Sequence, residues 1–525
     1  NRVVVATCSP KTHEGIFMDT LEGTGLNKYL FEMANIRNQD SWVHSQTPMQ
    51  ATAKAKQLVA MAAARAATLN PLTEKVIPVN PRALVIGGGV AGMNAALAIA
   101  DQGYEVVLVE KEERLGGMAH RLHATIEGWD IQRYLQELIG RVQSHPLIQA
   151  LTRSLIVGFG GFKGNFTTEI LVGPGMYERK IDHGVVILAT GATEYKPTEY
   201  GYGESEHVVT QVELGARLQQ RGAQGLSQVV MIQCVGSRNE KNPNCSRICC
   251  QAAVKNAIHI KELAPAAEVF ILYRDMRTYG LLEDYYEQAR RKGILFFRYD
   301  ADAPPRVETR DGGVTVAFRD RIIGRELEVD ADLLALSAGL VPSDTEELSS
   351  IVKLARTPEG HFMEAHVKLR PVDMATEGLF ICGTAHSPQL INESIGQSHA
   401  AASRAITFLS KSRLTLSAVT AQVNPDICAA CLICCLVSLT TGRSAPQPAQ
   451  DELDKCASAA PYLVGLACPQ SAPGAPVRPC GPVPCSPGMS AERPMHAGTL
   501  TRALASACWM VALLAAEGAA VRSPP

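Results

Sequence analysis

The chain has little net charge, almost no cysteine in its first two hundred residues and no long apolar run. Lys and Arg total 50 against 52 Asp and Glu, a net charge of −2, and charged residues are 19% of the 525. A surface so balanced offers no field for a polyanion, which argues against a nucleic-acid partner. The late apolar run, Ala503 to Ala516, ends at Glu517 and falls short of the roughly 20 residues that cross a bilayer. No membrane span is expected. Asn1-Arg2-Val3-Val4-Val5-Ala6 leads straight into a strand, with no initiating Met, charged leader or signal-type apolar core before it. The expectation is a cytoplasmic chain whose sequence is clipped at its front.

What the first part lacks in cysteine the rest supplies. Of 15 cysteines, four gather at Cys234, Cys245, Cys249 and Cys250 and four more at Cys428, Cys431, Cys434 and Cys435. A secreted disulfide scaffold spreads its cysteines through a small domain. Bunching favours metal or cluster ligation.

The pattern along the chain is α/β. Residues 1–78 read as a small α/β domain: a strand at Val3 to Ala6, a helix from about Thr12, a strand around Tyr29 to Ala34, and an Ala-rich helix from Met49 to Leu69. Pro71, Pro78 and Pro81 then punctuate a linker. Three strand–turn–helix units follow, beginning at Ala83, Val229 and Gly378. They suggest one dinucleotide domain (79–205 and 333–412) interrupted by another (206–332). Residues 436–525 hold 13 of the 30 prolines and five scattered cysteines, a composition that cannot readily bury a core, and disorder is expected there.

Gly87-Gly88-Gly89-Val90-Ala91-Gly92 matches G-x-G-x-x-G after an apolar strand and before a helix. Gly87 permits the tight turn, Gly89 lets backbone approach a pyrophosphate, and Gly92 packs helix on strand. The helix N-terminus offers unpaired N–H groups to the phosphates. Glu110, ending the next strand, is placed to accept from ribose hydroxyls. The bland alternative is a plain glycine-rich turn, which the flanking strand, helix and carboxylate disfavour. FAD, not NAD, is indicated by further elements. Gly116-Gly117 after Glu110-Lys111 resembles the second glycine pair of the two-dinucleotide flavoproteins, of which thioredoxin reductase is one. Ala189-Thr190-Gly191-Ala192 resembles their A-T-G element, and Gly383-Thr384 stands where that family closes over the ribityl chain. The family's Gly-Asp is Gly-Thr here, which weakens that last contact.

The second nucleotide fold lacks its fingerprint. Where a reductase of this type carries a second G-x-G-x-x-G, the chain reads Cys234-Val235-Gly236-Ser237-Arg238, and no C-x-x-C stands there as a redox disulfide. If a helix begins over Cys245 to Cys250, Cys245 and Cys249 share a face and Cys250 lies beside them. Cys234 at the strand end then completes four thiolates, the ligand set of a [4Fe–4S] centre. Buried structural cysteines and a zinc site are the alternatives.

Several strings resemble the A-subunit family of the heterodisulfide reductases: Cys8-Ser9-Pro10-Lys11-Thr12-His13-Glu14, Tyr29 to Arg37, Ser41-Trp42-Val43-His44, Cys249 to Lys255, Tyr273 to Gly280, and Gly383 to Pro388. The likeness runs from residue 1 to about 434. It implies a thioredoxin-reductase-like α/β fold, FAD, several [4Fe–4S] clusters and flavin-based electron bifurcation. It also implies partner subunits of the B and C type and a hydrogenase or dehydrogenase as donor, in a multi-subunit complex that can include a homodimer of this chain. By position Cys234, Cys245, Cys249 and Cys250 hold the cluster that replaces the NADPH site, and Lys255 approaches the isoalloxazine to stabilise a reduced anionic flavin. A solvated helix lysine is the equal alternative. The family generally has cysteine where this chain has Asp40, which leaves Cys8 as the first domain's single thiol. An oxygen ligand or no cluster must be considered there, and Cys8 also reads as a small buried hydrophobe.

Cys428-Ala429-Ala430-Cys431-Leu432-Ile433-Cys434 opens a ferredoxin motif, C-x2-C-x2-C-x3-C-P. Its fourth ligand is replaced by Ser438, so residues 420–435 read as a degenerate ferredoxin-like segment. A change of reading frame near Cys435 accounts for the lost ligand and for the tail's composition; a diverged C-terminal module is the alternative. Rival functions are the A-type subunit of a quinone-interacting membrane-bound oxidoreductase, a freestanding NAD(P)H-dependent reductase, and a non-catalytic electron-transfer scaffold.

Overall fold

Strands Ala83–Ile86, Val106–Val109, Val185–Leu188 and Leu379–Ile381 are apolar and buried at every position. Such runs suit a parallel sheet covered on both faces. They form one, in the order Leu379–Ile381, Val185–Leu188, Ala83–Ile86, Val106–Val109, Ile148–Leu151, every neighbour parallel. Helices Val90–Ala100 and Ile391–Leu409 cover one face through Ala95, Ala96, Ala401, Ala402 and Ala405. Small side chains let these helices come close to each other and to the sheet. Strands Ser154–Phe162, Asn165–Val172 and Tyr177–His183 add an antiparallel sheet that packs Phe166 and Ile170 on the other face.

A second parallel sheet repeats the plan: Val208–Thr210, Leu333–Ala338, Gln228–Val235, Glu268–Tyr273, Leu295–Arg298. It carries its own antiparallel appendage, Arg306–Arg310, Gly313–Arg319 and Glu326–Ala331. Strand alternation sends Val229, Met231, Leu333 and Ala335 toward helix Cys249–Leu263, and Val230, Ile232, Leu334 and Leu336 to the opposite face. The chain leaves the first sheet after Val185–Leu188, builds the second, and returns through the antiparallel pair Ala192–Glu194 and Leu340–Pro342.

The N-terminal part pairs Val3–Thr7 in parallel with Phe31–Asn35 and covers them with helices Pro10–Gly23 and Pro48–Thr68. The proline-punctuated linker contains a strand, Lys75–Pro78, antiparallel to Arg413–Leu416. This computed structural model describes residues 1–416, 418 and 419; the expectations for Cys428, Cys431, Cys434, the ferredoxin-like segment and the tail lie outside them. Among the described residues no helix is long and apolar enough to cross a membrane.

One expected element differs. The helix over Cys245 to Cys250 starts only at Cys249, because Arg247 sits at φ 59°, in the left-handed region that interrupts a right-handed helix. Cys245 therefore belongs to the preceding loop and shares no helix face with Cys249.

Candidate functional site

The first sheet ends in a three-glycine turn between Ile86 and Val90. Gly87 has φ 111°, and a Cβ there would collide with the Ala189 carbonyl. A Cβ on Gly92 would collide with the Gly87 carbonyl, so helix and strand touch backbone to backbone. At Gly89, by contrast, a Cβ meets nothing within 4 Å. Two glycines are demanded by protein atoms and the third opens on free space at the N-terminus of helix Val90–Ala100, the place a pyrophosphate needs.

Glu110 has partners within the protein. Its buried carboxylate accepts the Gly88 N–H at 2.6 Å and the Glu112 N–H at 2.9 Å, so in this structure it braces the glycine turn. A carboxylate oxygen has a second lone pair, and ribose contact stays chemically open. Gly116 donates its N–H to the Gly88 carbonyl at 2.8 Å, and Gly117 follows against Gly89. Lys111 is exposed and stands apart.

On the far side of the turn Thr190 Oγ1 is buried with no hydrogen-bond partner. An added Cβ on Gly191 would lie 3.8 Å from Thr384 Oγ1, so Thr190, Gly191 and Thr384 form one cluster. Gly383, at φ 71°, brings its turn within 2.7 Å of Ala91 as measured from an added Cβ. The Gly383 N–H donates to Gln397 Oε1 at 2.8 Å; Gln397 meets His386 Nδ1 at 2.9 Å, and His386 Nε2 meets Glu364 at 2.9 Å. These residues fit FAD: an open backbone cradle at one end, an orphaned buried hydroxyl at the other.

The second sheet ends quite differently. No short glycine turn joins Gln228–Val235 to helix Cys249–Leu263; residues 236–248 intervene. Arg238 and Arg247 in that stretch, and Cys234 just before it, all carry positive φ (57°, 59° and 65°), a concentration of non-glycine strain that marks functional loops. A Cβ on Gly236 would enter the Tyr195 ring, so this glycine is held against the protein's own side chain and does not open on free space as Gly89 does.

Around this loop the fold gathers four cysteines: Cys234 near the end of strand Gln228–Val235, Cys245 in the loop, and Cys249 and Cys250 at the start of the helix. Burial first, and then Cys250, Cys234 and Cys245, hold the Cys249 thiol well above its ordinary range, so the four stand within electrostatic reach. Burial pushes Cys250 up to about 11, and it raises Cys234 against the pull of Arg238. Cys249 Sγ donates to the Ala338 carbonyl at 3.5 Å, Cys250 Sγ to the Asp275 carbonyl at 3.8 Å, and Cys245 Sγ accepts the Arg247 N–H at 3.3 Å. Among the described residues no three Cys, His, Asp or Glu side chains close on a single ion-sized point. Three buried polar side chains nearby lack partners: both amide atoms of Gln233, Ser337 Oγ and Gln251 Oε1. Left so, each costs about 1–3 kcal/mol.

Sequence reading missed the residues that frame this loop. Arg247 Nη2 donates to Glu393 Oε1 at 2.9 Å, its guanidinium lies 4.9 Å over the Tyr279 ring, and the Tyr279 hydroxyl donates to the same Glu393 oxygen at 2.9 Å. The other Glu393 oxygen accepts the Leu390 N–H at the start of helix Ile391–Leu409. The cysteine loop is thus clamped to a helix of the first sheet. Arg238 and Arg298 share Asp275 at 2.7 and 2.9 Å, and Arg238 beside it holds that carboxyl below the usual range. Tyr279 and Asp275 lay within a string already singled out, Tyr273 to Gly280; nothing in the local pattern points to Glu393.

Lys255 is half-buried, one turn beyond the cysteines. Its ammonium donates to the Ala124 carbonyl at 3.1 Å and meets no carboxylate, and burial holds it below the usual lysine range. It is not a solvated helix lysine. In the N-terminal part Cys8 is half-buried rather than enclosed as a hydrophobe. Arg37 donates to its sulfur at 3.5 Å and lowers the thiol. Asp40 is 3% exposed with Oδ1 unpartnered.

Comparison with known proteins follows the same lines. Residues 81–232 match the family model of the pyridine nucleotide-disulphide oxidoreductases. The chain is 36% identical to the iron-sulfur A-subunit of a CoB–CoM heterodisulfide reductase of Methanopyrus kandleri, over 83% of this chain and 80% of that one. It is 34% identical, with the same coverage, to the A-subunit of the H2:CoB-CoM heterodisulfide,ferredoxin reductase of Methanothermobacter marburgensis. Among solved structures it resembles the thioredoxin reductase of Lactococcus lactis at 17% identity and a TM-score of 0.45, over 63% of this chain and 99% of that one. With such relatives aligned along most of its length, and a flavin cradle formed at its first glycine turn, the chain belongs to the A-subunit family of the heterodisulfide reductases, as an FAD-dependent oxidoreductase.

Proposed function

We propose that this chain passes electrons between a donor, FAD and [4Fe–4S] clusters within a heterodisulfide reductase complex, in flavin-based electron bifurcation. The observation that carries the reading is the exchange at the second sheet. The turn that would receive a nicotinamide cofactor is replaced by a strained loop with four thiols in it and at its two ends, and that loop is clamped to the flavin unit. FAD, when bound, takes up an electron pair, whereas a cluster carries electrons singly, and pairing the two is what division between two acceptors requires.

Gly87, Gly89 and Gly92 would hold the pyrophosphate, with Glu110 keeping the turn in shape and Gly116-Gly117 lining its floor. Thr190, Gly191, Gly383 and Thr384 would close over the ribityl chain, with the buried Thr190 hydroxyl supplying a polar contact. Lys255 brings a positive charge, unopposed by any carboxylate, to the seam between the two sheets' domains, where it would favour negative charge on a reduced flavin. Cys234, Cys245, Cys249 and Cys250 would ligate a cluster. A cube assigns each thiolate to a different iron, so its ligands stand farther apart than four donors at about 2.3 Å around one zinc.

The name of the Methanothermobacter marburgensis relative joins three redox partners: H2, the CoB–CoM heterodisulfide and ferredoxin. A donor and two acceptors are what bifurcation connects. By the family resemblance the partners are B- and C-type subunits with a hydrogenase or dehydrogenase as donor, in the cytoplasm. The experiment is anaerobic purification with flavin and iron–sulfide analysis and EPR, on wild type and Cys249→Ala. The variant should lose cluster iron and the reduced-cluster signal while keeping FAD, whose contacts belong to the other sheet. Iron and signal unchanged in the variant would sink the ligand assignment.

A further inference from the structure

Two buried polar side chains beside the four thiols have no partner in the protein. Gln233 is fully buried and neither its amide nitrogen nor its amide oxygen is satisfied; Ser337 is 1% exposed and its hydroxyl is equally alone. Buried donors of this kind are nearly always paired in folded proteins, with protein, water or a bound group. Both lie on neighbouring strands of the second sheet, which pair Met231 with Ala335 and Ile232 with Leu336 just before them.

On one strand the alternation is regular: Leu333 and Ala335 pack toward helix Cys249–Leu263, and Ser337 continues that face. On its neighbour Val229 and Met231 pack toward the same helix, and the register then shifts by a bulge between Ile232 and Val235, which sets Gln233 and Cys234 together opposite Ser337. On the helix, Ala253 and Val254 pack against this face of the sheet. Cys249 and Cys250 stand one turn before them, on the same side. Cys249 Sγ reaches the Ala338 carbonyl, next to Ser337, and Cys234 follows Gln233 directly. The orphaned donors and the thiols thus share one end of the layer between sheet and helix.

We propose that the Gln233 amide and the Ser337 hydroxyl donate hydrogen bonds to sulfurs of the cluster held by Cys234, Cys245, Cys249 and Cys250, and thereby raise its reduction potential. The proposal rests on the cluster reading above and goes beyond it, since neither residue is a ligand. Hydrogen bonds to cluster sulfurs stabilise the reduced, more negative state, and they are among the protein's main controls on potential. Gln251 is the poorer candidate, because its unpartnered atom is an acceptor and its Nε2 already donates to the Arg277 carbonyl at 3.0 Å. Both groups act as positioning and tuning residues.

The test uses the full chain purified anaerobically with its flavin and iron. EPR-monitored redox titration of wild type, Ser337→Ala and Gln233→Met should show the cluster midpoint falling in each variant. The expected size is about tenfold in the reduced-to-oxidised ratio at a fixed poise, which is about 59 mV for one electron. Flavin and iron per chain should stay at wild-type values. In deuterium oxide the reduced wild-type cluster should show exchange of a coupled proton that Ser337→Ala lacks. Unchanged midpoints in iron-replete variants overturn the proposal and leave the two residues bonded to buried water. Should either variant lose its iron, the wild-type measurement decides alone, and absence of any exchangeable coupled proton overturns the proposal. A wild-type chain with no cluster iron overturns the underlying cluster reading, and this proposal with it.

Discussion

Gly89 and Gly92 occupy the same turn and answer to different masters. At Gly89 an added Cβ meets open space, so Gly89→Val should fold normally and lose its flavin absorbance, because the side chain occupies the cofactor's approach. At Gly92 the added carbon runs into the Gly87 carbonyl; Gly92→Ala should cost about 1–3 kcal/mol of stability by overpacking, lowering the melting temperature even without flavin. Flavin per chain and a thermal melt separate the two, and a Gly89→Val protein with full flavin would refute the placement. Lys255 gives the residue scale its pH dependence. Burial lowers its pKa in the folded state, so below that folded value the charge is carried in both states and the burial cost is complete. As pH rises through the folded value toward about 10.4, where unfolded lysine titrates, the native side chain releases its proton first and wild type gains stability. Flavin-free Lys255→Met should therefore melt above wild type at neutral pH, with the gap narrowing steadily toward pH 10. A gap constant with pH would show that the ammonium carries no burial cost.

The element that distinguishes the molecule is the loop 236–248. The first sheet passes to its helix through three glycines; the second does so through a long strained segment whose left-handed Arg247 delays the helix to Cys249. Such a segment needs external anchors, and Glu393 supplies one by accepting from Arg247 and Tyr279 together while capping the start of helix Ile391–Leu409. Burial and the bond to Glu393 push the Tyr279 hydroxyl up to about 12, so it remains a donor throughout the neutral range. Glu393→Gln removes the charge from a half-buried pair. Amide hydrogen exchange should rise about fivefold in residues 236–248 and at the start of helix Ile391–Leu409, since local opening tracks the loss of about 1 kcal/mol. Helix Val90–Ala100 should be unaffected. Uniform acceleration across both sheets would mean global destabilisation instead of a released clamp.

At the scale of the whole molecule, two copies of one plan have been put to different uses. Both parallel sheets carry an antiparallel appendage and a helix at the strand ends, where ligands of open α/β sheets bind. One end is an open glycine cradle; the other carries Tyr195 against Gly236, the Arg238–Asp275 pair and the four thiols. NADPH alone should accordingly reduce the flavin no faster than a non-specific reductant does. Stopped-flow bleaching of the flavin band within seconds of mixing with NADPH would favour a freestanding reductase. The N-terminal part stands outside this plan, and its Asp40 is buried.

Periodicity and glycine spacing were enough to read the strands at Ala83–Ile86 and Val185–Leu188, the glycine turn and the return of the third unit to the first sheet. These features are local: an apolar run is buried wherever it lies, and a fingerprint glycine is needed for its own backbone. The sequence also marked four cysteines as one group, because their bunching survives without knowing the path between them. Their arrangement was not legible. One residue in a left-handed conformation moved the helix start past Cys245, and no propensity rule places an arginine there. The partners of Arg247, the unpaired state of Gln233 and Ser337, the turn of the Glu110 carboxylate toward Gly88 and the desolvation of Lys255 all depend on atoms distant in the chain. Local chemistry determined which residues could serve a flavin and a cluster. Packing between the two sheets' domains decided which of them face one another, because a contact across that seam has no fixed spacing along the sequence.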